Sequence, residues 1–216
     1  AMAYNDTEGR IDAFDGMGDL EKGRIRCVGD PRERFTEDGL RIMRAVRFSA
    51  QLNFKIEEET REAVKEFAPG LSRISAERIQ TELVKLLLSE HPEVFRVLYD
   101  MGITAVILPE FDACMETPQN HPHHFRCVGE HLLLAVQAAE ADLLHDIGKP
   151  AAHVRDEQGI DHFQGHGEIG ADLAERILRR LKFDNNTICH VKHLVRVHDY
   201  LQISLTPRGV RRAVFR

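Results

Sequence analysis

The chain has 216 residues, 43% of them hydrophobic and 30% charged, with a net charge of −6. That balance belongs to a globular protein of one large or two small domains, and it excludes a disordered chain and a wholly basic nucleic-acid binder. No apolar run approaches the roughly 20 residues that cross a bilayer and no signal peptide is legible, so a cytoplasmic protein with no membrane partner is expected.

Before Asp30 the pattern is short and β-like, with "GRIDAF" and "GRIRCV" separated by the turn-rich "DGMGDLEKG". After Pro31 the apolar period becomes helical, over 36–52, 57–67, 75–88, 92–101, 128–147 with a break, 166–182, 185–198 and 206–216. Thr36, Ser75 and Thr206 mark helix starts. The stretch "PEFDACMETPQNHPHH" (109–124) has no periodicity and three prolines, which places a domain boundary there. Cys27, Cys114, Cys127 and Cys189 are far apart and form no C-x-x-C pair, so they read as buried or incidental thiols. From Arg176 to Arg216 ten Lys/Arg face two acids, which suits either a solvated helical surface or a face that meets phosphates.

The helix expected over 36–52 carries its own chemistry. On a wheel, Ile42, Met43, Val46 and Ala50 share one arc, while Glu37, Arg41, Arg44 and Arg47 share the opposite side. Helix electrostatics alone would favour acids in a first turn and arginines on an exposed face. The chemical reading is that Asp38 and Arg41, at i and i+3, set a carboxylate acceptor beside a fork of donors. Such a pair can read a nucleobase edge while Arg44 and Arg47 bind phosphate or base.

The second half gathers histidines and acids: His131, His145-Asp146, His162, His166 and His198-Asp199. Imidazoles with carboxylates suit a divalent ion that activates water against a phosphoester, and the candidate ligands are His131, His145, Asp146, His198 and Asp199. The bland alternative is that such histidines cap helices and satisfy buried polar groups. Gly148-Lys149-Pro150 would end the His-Asp helix and leave Lys149 to meet a substrate phosphate. His162 and His166 are expected outside the ligand set, and His121, His123 and His124 in a linker. His131 and His145 are 14 positions apart. On one continuous helix that is about 21 Å, too far to share an ion. A sharp break or omitted residues are therefore expected near 138–141.

"GDPRERFTEDGLRIMRAVRFSAQLNFKIEEET" resembles the neck of the class II CCA-adding tRNA nucleotidyltransferase and poly(A) polymerase family. The upstream "AMAYNDTEGRIDAFDGMGDLEKGRIRCVGDP" is similar to the end of that family's catalytic head, and "RISAERIQTELVKLL" to its next motif. "ADLLHDIGKP" with its spaced histidines resembles the HD phosphohydrolase domain appended to many members.

The resemblance implies a mainly α fold. Residues 1–30 would be a short β-containing remnant of the head, 31–110 a helical neck and body for nucleotide selection and RNA binding, and 111–216 a helical HD domain. It implies CTP, ATP and tRNA as partners, with Asp38 and Arg41 selecting CTP and ATP and Arg44 and Arg47 contacting phosphate or base. It also implies an HD site loaded with Mn, Ni or Mg. The family's D-x-D pair, which holds Mg for nucleotidyl transfer, has no counterpart here. The chain is therefore expected to be part of a longer enzyme, although Met2 could be a start. A free-standing HD phosphohydrolase acting on phosphoesters such as 2′,3′-cyclic nucleotides is the alternative, and a non-catalytic RNA-binding scaffold the blandest reading. CCA, A-only and poly(A) addition, the HD metal and the oligomeric state stay open at this point.

Overall fold

The computed structural model describes residues 3–7, 9–120, 126–138 and 142–202. The chain divides into two compact units, Ala1–Ile107 and Leu108–Arg216. Both are mainly α, as the sequence reading expected, with three short two-stranded pairings among the described residues. No described helix is long and apolar enough to cross a membrane.

In the first unit, β1 (Ala3–Asn5) pairs antiparallel with β2 (Gly9–Ile11). The turn-rich stretch that follows contains a short helix, α1 (Gly16–Glu21), which pattern alone did not announce. The Asp12 carboxylate starts it by accepting the Gly16 and Met17 N–H groups, each at 2.8 Å. β3 (Arg24–Ile25) then pairs parallel with β4 (Lys55–Ile56).

The single helix expected over 36–52 is two helices. Asp30 caps α2 (Pro31–Glu37), accepting from Arg32 N at 2.8 Å, with Pro31 at the first helical position. Asp38 then leaves helical space (φ −151°, ψ 102°), and its side chain accepts from Leu40 N at 3.1 Å. That local bond competes with the helical ladder and restarts it as α3 (Leu40–Leu52). Thr36 consequently lies in the last turn of α2, its hydroxyl donating to Arg32 O at 2.8 Å. Asn53, with φ 53°, ends α3 in the left-handed region and turns the chain into β4.

α4 (Glu58–Phe67) runs into a 3₁₀ turn, followed by α5 (Ala76–Leu87), α6 (Phe95–Asp100) and α7 (Thr104–Ile107). Ile42, Met43, Val46 and Ala50 of α3 are buried, as are Val64, Leu86, Phe95 and Leu98 on the other helices of the unit, and α3 packs chiefly on α5. Each large apolar side chain there contributes about 1.5–3 kcal/mol.

The second unit opens with α8 (Pro109–Glu116), a helix where no periodicity was visible. Pro109 sits at its first position, and Phe111 and Cys114 are buried one turn apart. α9 (Val128–Ala138) packs on it. A 3₁₀ turn, Asp142–Leu144, leads through the His145-Asp146 turn to α10 (Lys149–Ala152). A hairpin of β5 (Val154–Arg155) and β6 (Asp161–His162) precedes two long helices, α11 (His166–Arg180) and α12 (Asn185–Gln202), packed along one another. Gly148 lets the His-Asp turn approach α11: a Cβ there would lie 2.2 Å from His166 O and 2.5 Å from Gly170 N.

Candidate functional site

The break at Asp38 decides how the arginine face is built. Asp38 lies between two helices, and its carboxylate accepts from Arg78 of α5 at 2.9 Å as well as from Leu40 N. Burial pushes the Asp38 carboxyl up, but Arg78 and the Leu40 N–H outweigh it and hold it below its usual value. Arg41 pairs with Glu37 at 2.8 Å, and Glu37 is also gripped by Arg34 at 2.9 Å. Arg34 in turn donates to Val28 O at 3.0 Å. Asp38 and Arg41 thus each have a partner of their own, and Arg34 and Arg78 belong to this charge cluster although the motif did not reveal them. Arg44 is exposed and makes no ion pair with a described residue.

Arg47 is a correction. Its wheel position is only about 40° from Met43 at 3.6 residues per turn, and it is buried, donating to Glu82 of α5 and to Gln51 while its guanidinium lies 3.9 Å from the Phe48 ring centre. It ties α3 to α5 from inside and is not placed to bind phosphate.

The second unit brings four elements to one point. His131 comes from α9, His145 and Asp146 from the turn, His166 from the start of α11 and His198 from α12. His145, Asp146 and His166 are buried. Asp146 Oδ2 lies 3.6 Å from His131 Nε2 and 3.4 Å from His145 Nε2. Its Oδ1 lies 3.3 Å from His166 Nε2 and 3.2 Å from His198 Nε2. Burial pushes the Asp146 carboxyl up, but hydrogen bonds from His145, His166 and His198 outweigh it and hold it far below the carboxylate range.

His131 and His145 ring centres are 5.2 Å apart, so the two do not share one continuous helix. α9 ends at Ala138 and the next described element begins at Asp142; residues 139–141 lie outside the described residues.

The ring orientations show what the point can hold. His166 Nδ1 faces Phe163 O at 2.8 Å and His198 Nδ1 faces Val195 O at 2.7 Å. With Nδ1–H donating to those carbonyls, the Nε2 atoms of the neutral rings present lone pairs, and they are 3.1 Å apart. Two lone pairs so placed are met either by a proton on one ring, which then donates to the other imidazole or to Asp146, or by a metal ion between or beside them. Nitrogens about 2.1 Å from one ion at a right angle are about 3.0 Å apart, which matches. Two groups of three donors, His131/His145/Asp146 and Asp146/His166/His198, have ligand atoms within 4.8 Å of one another and share Asp146. Imidazole with carboxylate suits a first-row divalent ion.

The arrangement revises several expectations. His166 stands inside the cluster, 3.3 Å from Asp146, and not outside the ligand set. His162 is turned away on the hairpin, paired with Asp156 at 2.8 Å. Lys149, expected to be open to a phosphate, is buried and donates to Asp146 Oδ2 at 2.6 Å. The Asp199 side chain, His121, His123, His124 and residues 206–216 lie outside the described residues. On the basic stretch, Arg179 and Lys192 pair with Glu175, Arg180 with Glu110 and Arg196 with Glu168, so much of that charge is met by acids. The four cysteines form no disulfide, and burial pushes the Cys114 thiol up to about 12.

Residues 53–115 match the family described as "Probable RNA and SrmB-binding site of polymerase A". The CCA-adding enzyme of Ligilactobacillus salivarius is 53% identical over 93 residues, 43% of this chain and 23% of that protein. That of Enterococcus faecalis is 56% identical over 88 residues, 41% of this chain and 22% of that protein. The matched stretch is thus about a quarter of these curated relatives. Among solved structures, the Bacillus stearothermophilus CCA-adding enzyme in complex with CTP has a TM-score of 0.65 at 24% identity, over 98% of this chain and 48% of that one. The Thermotoga maritima enzyme complexed with tRNA has a TM-score of 0.59 at 22% identity, over 99% and 50%. The resemblance to the CCA-adding and poly(A) polymerase family therefore holds in sequence over part of the chain and in fold over nearly all of it.

Proposed function

We propose that this chain is the neck, body and HD portion of a tRNA nucleotidyltransferase that adds C and A, from CTP and ATP, to the tRNA 3′ end. The observation that carries the reading is the 53% identity over 93 residues with a CCA-adding enzyme. The chemistry of the arginine face supports it. Cytosine and adenine both present an exocyclic amine beside a ring nitrogen with a lone pair, whereas uracil and guanine present a carbonyl beside a ring N–H. A carboxylate acceptor at Asp38 with a donor fork at Arg41 suits the first pair and opposes the second. Arg44 carries no described ion pair and is available to a phosphate. RNA is held by the body, where residues 53–115 match the RNA-binding family description. The reading requires a D-x-D head with Mg, which this sequence does not contain.

The test is incorporation of CTP and ATP into tRNA lacking its 3′ end by the enzyme expressed from its complete reading frame. C and then A should be added. No incorporation with an intact head would sink the reading, and Arg41→Ala should lower selection against UTP and GTP by roughly 5–150-fold.

For the second unit the geometry favours an HD phosphohydrolase centre in the same enzyme, and it would serve equally in a free-standing hydrolase. His131, His145, Asp146, His166 and His198 would hold Mn, Ni or Mg, which when bound lowers the pKa of water and polarises a phosphoryl oxygen. Phe163 O and Val195 O, facing the Nδ1 atoms of His166 and His198, leave both Nε2 atoms to hold such an ion. Lys149 neutralises the Asp146 oxygen it touches. The purified chain, loaded with each ion in turn, should hydrolyse a 2′,3′-cyclic nucleotide, and Asp146→Ala should abolish this. A folded chain that binds none of the three ions would make the cluster structural.

A further inference from the structure

Asp161 has no part in the chemistry above, yet its side chain is fully buried and carries four hydrogen bonds. Arg155 donates to it from Nε at 2.7 Å and from a terminal nitrogen at 3.0 Å. His153 Nε2 meets it at 2.7 Å and Asn120 N at 2.7 Å, and Asp161 N donates back to Asn120 O at 3.1 Å. One carboxylate therefore joins three stretches of chain: the residues after α8, the entry to β5, and β6.

What these bonds immobilise lies next to the His/Asp cluster. Phe163, two residues after Asp161, stacks its ring on His153 at 5.3 Å with 21° between the planes. The same ring has Lys149 Nζ 5.4 Å from its centre. Phe163 O accepts both His166 Nδ1 at 2.8 Å and His166 N at 3.2 Å. The carbonyl that sets the His166 ring and the ring that backs Lys149 thus belong to one residue, held through His153 and β6.

We propose that Asp161 is a positioning residue of the cluster: by gathering His153, Arg155 and Asn120 it fixes Phe163, which holds His166 with Nε2 toward Asp146 and backs the Lys149 ammonium. A carboxylate is required because four donors converge on two oxygens; an amide offers one oxygen and turns its NH₂ against the remaining donors. The metal-affinity consequence rests on the metal-centre reading of the cluster. The orientation of His166 does not.

The experiment compares the whole chain with its Asp161→Asn variant in two readouts. Long-range ¹H–¹⁵N spectra of the metal-free protein report which His166 nitrogen carries the proton, and calorimetry with Mn or Ni reports affinity. Wild type should hold His166 as the Nδ1–H tautomer; Asp161→Asn should mix the tautomers and weaken ion binding about 10–100-fold. Asp156→Asn, in the same hairpin but paired only with exposed His162 and its own turn, should change neither. A folded Asp161→Asn with a pure Nδ1–H tautomer and wild-type affinity overturns the proposal. If that variant does not fold, His153→Gln keeps a donor for Asp161 but removes the stack on Phe163, and an unchanged His166 tautomer there overturns it equally. If wild type binds neither ion, the metal-centre reading fails, and the tautomer result alone still decides the role of Asp161.

Discussion

The arginine face of the first unit and the His/Asp cluster of the second both assemble opposite charges, but in opposite solvents. Arg34, Glu37 and Arg41 are 42%, 49% and 38% exposed at their side chains. Water screens such pairs, and each contributes little to stability, so a ligand can displace one partner at small cost. Asp146, His145, His166 and Lys149 are each less than a tenth exposed. There every unmet charge or lone pair is expensive, and the groups cannot be exchanged singly. On the proposed function, exposure would suit the first site to reading a base that comes and goes, and burial would suit the second to keeping an ion in place.

The strongest way to break that contrast is Asp146→Ala in the metal-free chain. It leaves the buried Lys149 ammonium without the carboxylate 2.6 Å away, so urea unfolding should show a loss of about 3 kcal/mol. Unchanged stability would mean that the cluster is far wetter than its burial implies.

Glu82→Ala asks whether burial, and not membership of one unit, makes the difference. Glu82 of α5 and Arg47 of α3 are 7% and 8% exposed, yet Arg47 stands on the helix that also carries the exposed arginines. Arg47 keeps Gln51 and the Phe48 ring, so the loss should be smaller, about 2 kcal/mol. Replacing both by Met and Leu should restore most of it. A double variant no better than Glu82→Ala would show that the pair itself, and not the isolated charge left behind, carries the energy.

How far these sites were legible follows the same line. His145-Asp146 was legible because adjacent residues followed by Ile-Gly-Lys-Pro form a local signal. His166 was not, because its place depends on meeting His198 thirty-two positions away, which no local pattern encodes. Arg47 looked like its neighbours Arg41 and Arg44 because a wheel gives direction without the width of the buried arc. The break at Asp38 was hidden by an unbroken apolar period on either side; the signal that could have found it was Asp38-Gly39, a side chain that competes for backbone N–H groups followed by glycine. α8 was read as linker because eight residues hold too few turns for periodicity, although Pro109 with Glu110 and Asp112 behind it marks a helix start.

A smaller effect separates the two kinds of site by pH. The Arg155 guanidinium beside Asp161, with His153 and the Asn120 N–H, holds that carboxyl well below its usual range against the opposing push of burial. A depressed folded value means the stabilisation is fully present above the ordinary Asp pKa of about 3.9 and is lost as pH falls below it. With a chelator present, wild type should exceed Asp161→Asn in stability by a constant margin from pH 7 to about 4, narrowing below. A margin that persists undiminished at pH 3 would show that the bonds to Asp161 do not depend on its ionisation.

The least stability change is expected from Arg41→Ala. Its pair with Glu37 is exposed, and Glu37 retains Arg34, so nothing buried is uncovered and no apolar contact in the core is lost. Its thermal midpoint should stay within error of wild type. In the full-length enzyme the same change should relax selection of CTP and ATP, because the donor fork is then missing only when a base is bound. A variant that leaves stability untouched while changing nucleotide choice would place Arg41 on the side of exchangeable contacts. A marked loss of stability with selection intact would place it with Arg47, as a residue that holds α2 and α3 together, and would remove the case for reading the exposed face as a recognition surface.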